Sequence, residues 1–266
     1  STVFMWCFGD REPWIELAQE LTGARMTYSY IIPGGVRRNL PEGFTVKALK
    51  AIKYMKARIK DYEKIFLNNP VVAARLVGVG TLRKDDAIRL GVVGPNLRAS
   101  GVTYDVRRVE PYAGYGQLDF EVVTKSEGDS YARVLVRFGE IEQSMRMIQQ
   151  ILEEIPDGAI VNEQYLKLIP PAFRAKLAET GVVKLPALFV NLKPPKGEVF
   201  SRVEAGRGEV SYYIVSKGGS TPYRMRMITP SFRNLIAFKH LMAGHRLADI
   251  PAIYGSLDYF PPDADR

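Results

Sequence analysis

Residues 128–154 read GDSYARVLVRFGEIEQSMRMIQQILEE and carry a long apolar periodicity. Apolar side chains recur every three or four positions along this segment, at Phe138, Ile141, Met145, Ile148 and Leu152. That spacing predicts an amphipathic helix that opens near Asp129 and ends before Pro156 and Gly158. Because methionine commonly fills gaps in hydrophobic cores, the two methionines of this segment indicate core packing.

Helical periodicity recurs in three other segments. Residues 10–23, with Asp10 as the N-cap, predict a short helix, and residues 44–66 predict a longer one. Residues 231–244 follow a proline and predict a last helix with Ser231 as its N-cap. Helices therefore dominate the expected fold.

Strand signals are confined to one region. Residues 210–214 and 223–227 alternate apolar and polar side chains on either side of a Lys-Gly-Gly turn, which predicts an antiparallel hairpin. Prolines interrupt residues 153–208, so this stretch is expected to be irregular, with short helices at 164–168 and 173–179. The predicted fold is a mostly α (α+β) single domain over residues 1–266.

Composition limits the function classes. The chain has 266 residues, 46% of them hydrophobic, and a net charge of +8 from 37 Lys and Arg against 29 Asp and Glu. The longest apolar runs reach about seven residues, whereas a membrane-spanning helix needs roughly 20. Nucleic acid is a poor fit because no run of five like charges occurs. The basic surface instead favours an acidic protein or anionic head groups.

Several chemistries lack their residues. The sequence contains one Cys and two His residues, Cys7, His240 and His245. These are too few ligands for a tetrahedral zinc or iron-sulfur site within this chain. Neither a GxGxxG nor a Walker A motif occurs, so no nucleotide is expected, and nothing indicates a hydrolase. Loops rich in Gly, Pro, Arg and Asp are more informative. In one of them the arginines beside Asp105 indicate either a buried ion-pair network or a site that points toward an anion.

Those loops also carry a family resemblance between Phe8 and Arg266. The motifs occur in the order GDRE, LTGARM, PGGV, LRASG, YDVRR, PY, GDSYAR, VRFGEIEQSMRMI, GRGE, YYIVS, PYRMR, PSF, LADI and SLD followed by DR. With them the chain resembles the later part of the large subunit shared by NADH-quinone oxidoreductase, where it is the D subunit, and membrane-bound nickel-iron hydrogenases. The resemblance implies a helical-bundle large subunit packed on a smaller iron-sulfur subunit, at the cytoplasmic side of an ion-pumping membrane arm.

The resemblance is incomplete at the amino end, where members of the family are longer. We therefore expect the N-terminal part of the large subunit to be missing or to lie on another chain. Either a separately encoded half or a processed fragment fits this pattern.

Two departures from the family separate its branches. Hydrogenases of this family end in Asp-Pro-Cys-x-x-Cys-x-Asp-Arg, whereas this chain keeps Asp258 and Arg266 but has Phe260 and Asp263 at the cysteine positions. A phenyl ring and a carboxylate cannot replace bridging thiolates, so no nickel-iron centre is expected. Quinone-reducing members place a His two positions after the Arg of GARM, where this chain has Thr27. The sequence is thus most similar to the hydrogenase-derived membrane-bound sulfane sulfur reductases, which lack the carboxyl-terminal cysteine pair.

The resemblance yields specific site residues. Asp263 and Asp258 are the expected catalytic carboxylates, facing a substrate cavity together with Phe260 and Thr27. Asp263 would deliver protons to the reduced substrate, with a salt bridge to Arg266 as the structural alternative.

A second set of residues is assigned to the neighbouring subunit. Arg25, Arg98 and Arg107 are expected near a 4Fe-4S cluster held by that subunit, because cations there stabilise the reduced cluster. This chain itself is expected to hold no cofactor and no metal.

The leading functional hypothesis is a subunit of an ion-pumping oxidoreductase that passes electrons from the iron-sulfur subunit to a sulfur compound. A low total of 13 Asn and Gln residues is typical of thermophiles, in which such reductases occur. Quinone reduction in a complex I-like enzyme is the alternative, and a non-catalytic docking chain is a third possibility. The expected partners are the chain with the rest of the large subunit, the iron-sulfur subunit and membrane-arm subunits, on a peripheral protein at the cytoplasmic face of the cell membrane.

Overall fold

A computed structural model describes residues 2–167, 171–183 and 193–265. The chain divides into two compact units. The first unit comprises Ser1–Arg58, Leu152–Lys196 and Ser216–Pro222, and the second comprises Ile59–Ile151, Gly197–Val215 and Tyr223–Arg266. The single domain over residues 1–266 stays a prediction.

Helices make up most of the secondary structure, as predicted. The α-helices are α1 (Thr2–Asp10), α2 (Glu12–Thr22), α3 (Phe44–Tyr62), α4 (Pro70–Leu76), α5 (Lys84–Arg89), α6 (Pro95–Arg98), α7 (Val106–Val109), α8 (Ser130–Glu154), α9 (Glu163–Leu166), α10 (Pro171–Thr180), α11 (Pro230–Met242), α12 (Ile250–Leu257) and α13 (Pro261–Ala264). The strands are β1 (Ile31–Ile32), β2 (Gly35–Val36), β3 (Gly197–Ala205), β4 (Gly208–Ser216) and β5 (Arg224–Ile228). A wider helical turn, Glu63–Leu67, extends α3, and single 3-10 turns lie at Tyr115–Gln117 and Leu247–Asp249.

The long helix α8 confirms the prediction for residues 128–154, but its buried face is rotated from the expected one. Ala132, Val136 and Met145 are buried, whereas Ile141 is 44% exposed. Arg133 lies on the buried face as well. A pattern of apolar side chains does not indicate a buried polar residue whose hydrogen bonds are made inside the core. The predicted buried face of the helix therefore differs from the observed one.

Two predicted helix caps are wrong. Asp10 ends α1, and its carboxylate accepts hydrogen bonds from the Tyr54 hydroxyl at 2.6 Å and Arg58 Nε at 2.7 Å. The cap of α11 is Thr229, whose Oγ1 accepts from the backbone N–H of Phe232, and not Ser231. In the first case long-range partners engage the side chain, and in the second a residue two positions earlier supplies the cap.

The sheet is larger than the predicted hairpin. β4 pairs with β5 antiparallel, as predicted. Its register runs from Ser211↔Ile228 to Val215↔Arg224, and β3 lies on the other side of β4. The expectation of irregular structure up to residue 208 is therefore wrong for β3, because the prolines that suggested it end at Pro195. The short helices α9 and α10 fall near the two predicted ones, although Leu168 lies outside the described residues.

The first unit has two small cores. In one, α2 and α3 pack through Leu17, Ala48 and Ala51. In the other, Ile32, Val161 and Val183 meet beside the β1–β2 hairpin. The PGGV motif forms the tight turn of that hairpin, where a Cβ on Gly35 would lie 2.1 Å from the Ile160 carbonyl oxygen. Only glycine fits there.

The second unit has one larger core, which joins α5 and α6 to α11 and α12. Its fully or nearly fully buried members are Leu82, Ala87, Val92, Leu97, Ala237, Leu241, Ile253 and Leu257. This core fixes the C-terminal end of α12 beside the start of α6. The candidate site lies at that junction.

Over the described residues, no helix is both long enough and apolar enough to cross a bilayer.

Candidate functional site

The GRGE motif forms the turn between β3 and β4, and it packs directly on the start of α6. A Cβ on Gly94, whose φ is +68°, would lie 2.4 Å from the Arg207 carbonyl oxygen and 2.4 Å from Gly208 Cα. Both the positive φ and the close backbone approach require glycine at position 94. The contact holds the backbone of Arg207 in one place.

Glu209 anchors the other end of the same turn. This buried carboxylate accepts hydrogen bonds from the Tyr104 hydroxyl at 2.8 Å, Ser211 Oγ at 2.9 Å and Arg233 Nη1 at 2.8 Å. Burial acts to raise the pKa of Glu209, but these hydrogen bonds and the charge of Arg233 outweigh it and lower the pKa. The turn that carries Arg207 is therefore rigid on both sides.

Asp258 lies just beyond the C-terminal end of α12 and contacts two arginines. Its backbone is left-handed, with φ at +53°, and its carbonyl oxygen accepts from Arg207 Nε at 2.9 Å. Its carboxylate Oδ2 lies 3.4 Å from Arg207 Nε and 4.0 Å from Arg137 Nε. The Arg207 guanidinium carbon lies 5.2 Å from the centre of the Phe260 ring, within the range of a cation–π interaction. We call Arg137, Arg207, Asp258 and Phe260 the arginine pocket.

Arg137 reaches this pocket from α8. Its Nη1 donates to the Arg133 carbonyl oxygen at 2.9 Å and its Nη2 donates to Asn96 Oδ1 at 3.2 Å. The buried Nε has no hydrogen-bond partner within the described part of the chain. Burial lowers the pKa of Arg137, and Asp258 partly offsets this effect.

Arg133 lies behind Arg137 and is completely buried. Neutral oxygens satisfy it: the Gly128 and Gly80 carbonyls at 2.8 and 2.9 Å, and Ser256 Oγ at 3.0 Å. Burial lowers the pKa of Arg133 to about 9, and the charge of Arg137 acts in the same direction. At neutral pH this side chain therefore still adds a buried positive charge next to the pocket.

Arg98 and Arg107 take part in a separate buried ionic network. Arg98 is 1% exposed, and it lies 2.6 Å from Glu140, 2.9 Å from Glu204 and 3.5 Å from Asp105. Arg107 binds Asp105 at 2.9 and 2.6 Å through two nitrogens. Of the two interpretations of these arginines, the ion-pair network is the one that the contacts support.

The pKa values in this network move in opposite directions. Burial acts to lower the pKa of Arg98, but Glu140 and Glu204 outweigh it and raise the pKa. Burial acts to raise the pKa of Asp105, but the hydrogen bond and charge of Arg107 outweigh it and lower the pKa. For Glu204, burial prevails over the attraction of Arg98 and raises the pKa. Within the network, Glu204 therefore takes up a proton more readily than Asp105 does.

The Asp263 side chain makes no hydrogen bond to Asp258 or Phe260 in the described chain; it lies at the N-terminus of α11. Its Oδ2 accepts from the backbone N–H of Ser231 at 3.2 Å, and its carbonyl oxygen accepts from the Thr229 hydroxyl. These contacts stabilise the start of α11. Arg266, the expected salt-bridge partner, lies outside the described residues. A catalytic role for Asp263 stays a prediction.

Arg25 and Thr27 belong to the first unit. Arg25 forms an ion pair with Glu12 and donates to Gln19 Oε1 at 3.2 Å. Thr27 is exposed, its φ is +54°, and its hydroxyl donates to the Met26 carbonyl oxygen at 2.7 Å. The roles predicted for both residues, near a cluster and in the substrate cavity, stay predictions.

The absence of a nickel-iron centre from this chain stays a prediction. At the two positions where hydrogenases of this family have cysteines, Phe260 offers no donor atom and Asp263 is engaged at the start of α11. Across the described ranges, no cluster of three His, Cys, Asp or Glu side chains is placed to hold a metal ion.

Sequence reasoning missed the arginine side of the pocket. Arg133, Arg137 and Arg207 lie in the motifs GDSYAR, VRFGE and GRGE, which carried the resemblance but received no role. The available signal was that each motif contains an arginine within two residues of a glycine or an alanine. Their convergence depends on contacts more than 40 residues apart in sequence.

Comparisons with known proteins agree with this architecture. A family model described as the 49 kDa subunit of respiratory-chain NADH dehydrogenase matches residues 1–266. An NADH-quinone oxidoreductase D subunit of Chloroherpeton thalassium is 39% identical over 268 residues, which cover 100% of this chain and 60% of that protein. The F420H2 dehydrogenase D subunit of Methanosarcina mazei is 40% identical over 267 residues, which cover 100% of this chain and 66% of that protein.

The fold is also similar to that of a solved structure, a chain of the membrane-bound sulfane sulfur reductase, described as an archaeal respiratory membrane complex. The TM-score is 0.86 at 40% identity, over 100% of this chain and 67% of that one. The chain thus spans about three-fifths to two-thirds of the length of these relatives. The prediction of a mostly α large-subunit fold with a small antiparallel hairpin is confirmed, with a third strand added to the hairpin.

Proposed function

The chain belongs to the family of the 49 kDa subunit of respiratory-chain NADH dehydrogenase, and from this membership we propose that it is part of the large, catalytic subunit of a membrane-bound respiratory oxidoreductase. In this proposal the chain lies next to an iron-sulfur subunit, receives electrons from it and delivers them to a sulfur compound of the sulfane or polysulfide type. The names of the relatives support an oxidoreductase, and the likeness to the sulfane sulfur reductase supports the sulfur compound.

One observation carries the choice of acceptor. The two positions that hold metal-binding cysteines in related hydrogenases are occupied by Phe260 and Asp263, and the guanidinium of Arg207 lies beside the Phe260 ring. Reduction of a polysulfide chain breaks one S–S bond with two electrons and releases sulfide, which takes up one proton. Such a substrate is anionic throughout the reaction, and positive side chains stabilise it electrostatically.

The residues of the pocket have separable tasks in this proposal. Arg207 binds the substrate, while Asp258 orients Arg207 through its carbonyl oxygen and its carboxylate. Asp258 and Asp263 are the carboxyl groups that we propose for proton delivery to the released sulfide. Phe260 provides an apolar surface beside the Arg207 guanidinium.

The remaining subunits follow from the same proposal. The 4Fe-4S cluster belongs to the neighbouring subunit, and no cofactor is assigned to this chain. The other partners are the chain that supplies the rest of the large subunit and the membrane-arm subunits, which place this chain peripherally at the cytoplasmic side of the cell membrane and couple electron transfer to ion pumping.

Quinone reduction is the second candidate, and the names of the NADH-quinone oxidoreductase relatives favour it. The two functions differ in their product. Intact complex that contains this chain is supplied with reduced methyl viologen and either polysulfide or a short-chain quinone, and sulfide and quinol are measured. We expect sulfide release well above the rate without complex. Quinol formation without sulfide release would show that sulfur reduction is the wrong assignment.

A further inference from the structure

The terminal nitrogens of Arg207 are the feature of the arginine pocket that has no structural role. Arg207 Nε is engaged by Asp258, but neither Nη1 nor Nη2 donates a hydrogen bond to any part of the chain that the structure describes. The side chain is 39% exposed. A guanidinium with a fixed Nε and two free terminal nitrogens presents a planar pair of donors to solvent.

The charges around this guanidinium are not balanced. Within the described residues, Asp258 supplies the only carboxylate within 4.0 Å of Arg207 or Arg137. Arg133 lies behind them, and its contacts are to neutral oxygens. Asp129 acts on Arg133 and Glu140 acts on Arg137 from farther away. Three cations with one carboxylate within 4.0 Å of Arg207 or Arg137 still leave a positive field beside Arg207, which a bound anion would neutralise.

The Phe260 ring gives the pocket an apolar wall. The ring is 46% exposed and lies beside the guanidinium of Arg207, at a carbon-to-centroid distance of 5.2 Å. Sulfur atoms make favourable contacts with aromatic rings. This pair of side chains would recognise a ligand with two properties. The guanidinium would bind its anionic group, and the ring would contact a polarisable sulfur atom.

We propose that the arginine pocket binds the acceptor as a sulfur-containing dianion, with Nη1 and Nη2 of Arg207 on its charged end and the Phe260 ring against its sulfur atoms. This inference rests on the proposed function and specifies the substrate class of the same site. Arg137 adds positive charge to the pocket, because its Nη atoms are tied to Asn96 and to the Arg133 carbonyl while its Nε lies 4.0 Å from the Asp258 carboxylate.

The physical reason for preferring a dianion over a quinone lies in the donors. A planar guanidinium donates two parallel charge-assisted hydrogen bonds to an anion and also attracts its negative charge, whereas a neutral carbonyl offers the guanidinium no opposite charge. A neutral quinone would leave the excess positive charge uncompensated in a partly desolvated pocket.

The experiment measures binding without turnover. Thiosulfate, a stable dianion with a sulfane sulfur, is titrated calorimetrically into the intact complex at low ionic strength, with wild-type chain and with Arg207→Gln, Arg207→Lys and Arg226→Gln. Arg226 is an exposed arginine of β5 and serves as the matched control. We expect Arg207→Gln to weaken thiosulfate binding about 10- to 100-fold, the range for losing charged hydrogen bonds. Arg207→Lys should lose less, and Arg226→Gln should bind as wild type does.

The outcomes separate this inference from the proposed function. If wild type and Arg207→Gln bind thiosulfate equally, or if wild type does not bind it, the pocket is not an anion site. The same preparations are assayed for sulfide release from polysulfide. Sulfide release with an unchanged KM in Arg207→Gln would overturn the site but not sulfur reduction. Arg207-dependent binding without sulfide release would support the anion site and overturn sulfur reduction.

Discussion

Replacing Arg98 by Met is expected to open the buried ionic network of the second unit. The substitution keeps most of the side-chain volume but removes the cation that faces Glu204 and Asp105, whose side chains are 4% and 1% exposed. Breaking a buried ion pair from one side costs about 3–5 kcal/mol, because the remaining charge stays buried without compensation. Asp105 keeps Arg107, and Glu204 takes up a proton readily since burial raises its pKa. We therefore expect the lower end, about 3 kcal/mol.

The assay is hydrogen–deuterium exchange of the intact complex, read on peptides that cover residues 95–110 and 198–209. A loss of about 3 kcal/mol raises the population of the open state roughly 100-fold, and exchange rises in proportion. Arg146→Met is the matched control, since its ion pair with Asp119 is largely exposed and is worth at most about 1 kcal/mol. Equal exchange in Arg98→Met and Arg146→Met would refute the assignment of Arg98 as the centre of a stabilising network.

Glu204→Gln tests the same network by removing a titratable carboxyl group instead of a cation. A group whose pKa is raised in the folded state stabilises the fold below its unfolded pKa, about 4.3, and this contribution is lost as the pH rises through the folded value. Wild type should therefore exchange faster in these peptides as the pH rises through that value, after correction for intrinsic exchange, and Glu204→Gln should show less of this increase. A lowered pKa, as at Asp105, has the opposite effect. Such a carboxyl group stabilises the fold above its unfolded pKa of about 3.9, and this contribution is lost as the pH falls through its folded pKa.

Three further substitutions test the candidate site. Gly94→Ala should displace the backbone of Arg207, cost about 1–3 kcal/mol and weaken thiosulfate binding, whereas Gly114→Ala, which meets no neighbouring atom, should not. Arg25→Met should lower the midpoint potential of the neighbouring 4Fe-4S cluster in a redox titration of the intact complex, and an unchanged potential would leave Arg25 with its structural pair to Glu12 alone. Asp263→Asn keeps an oxygen for the Ser231 N–H, so assembly should persist while turnover falls at least ~100-fold; normal turnover of assembled complex would exclude proton delivery by Asp263.

Local periodicity was sufficient to predict the long helices. α3 and α8 were found in sequence because each contains several turns of apolar side chains between clear breakers. The hairpin of β4 and β5 was found for the same reason, since its alternation is local. β3 was not predicted, because the run of prolines just before it is typical of irregular structure.

The parts of the site that could not be predicted depend on pairs far apart in the chain. Arg98, Asp105 and Arg107 are close in sequence, and their association was anticipated, but Glu140 and Glu204 reach Arg98 from α8 and β3. Arg207 meets Asp258 across 51 positions. No local pattern in the GRGE or SLD motif indicates that the two segments are in contact. The order of the motifs along the chain does not give the distances between them in the fold.

The two arginine groups of the second unit differ in how completely their charge is neutralised, and this difference assigns their tasks. Arg98 lies within 4.0 Å of three carboxylates, so its field is cancelled and its removal leaves buried negative charge behind. Among the described residues, Arg207 has one such carboxylate and its two terminal nitrogens donate no hydrogen bond, while the half-exposed Phe260 ring lies beside its guanidinium. Loss of Arg98 should therefore change exchange and stability before it changes binding. Loss of Arg207 should change binding while the exchange pattern of the fold stays as in wild type, because no other part of the described chain depends on its terminal nitrogens.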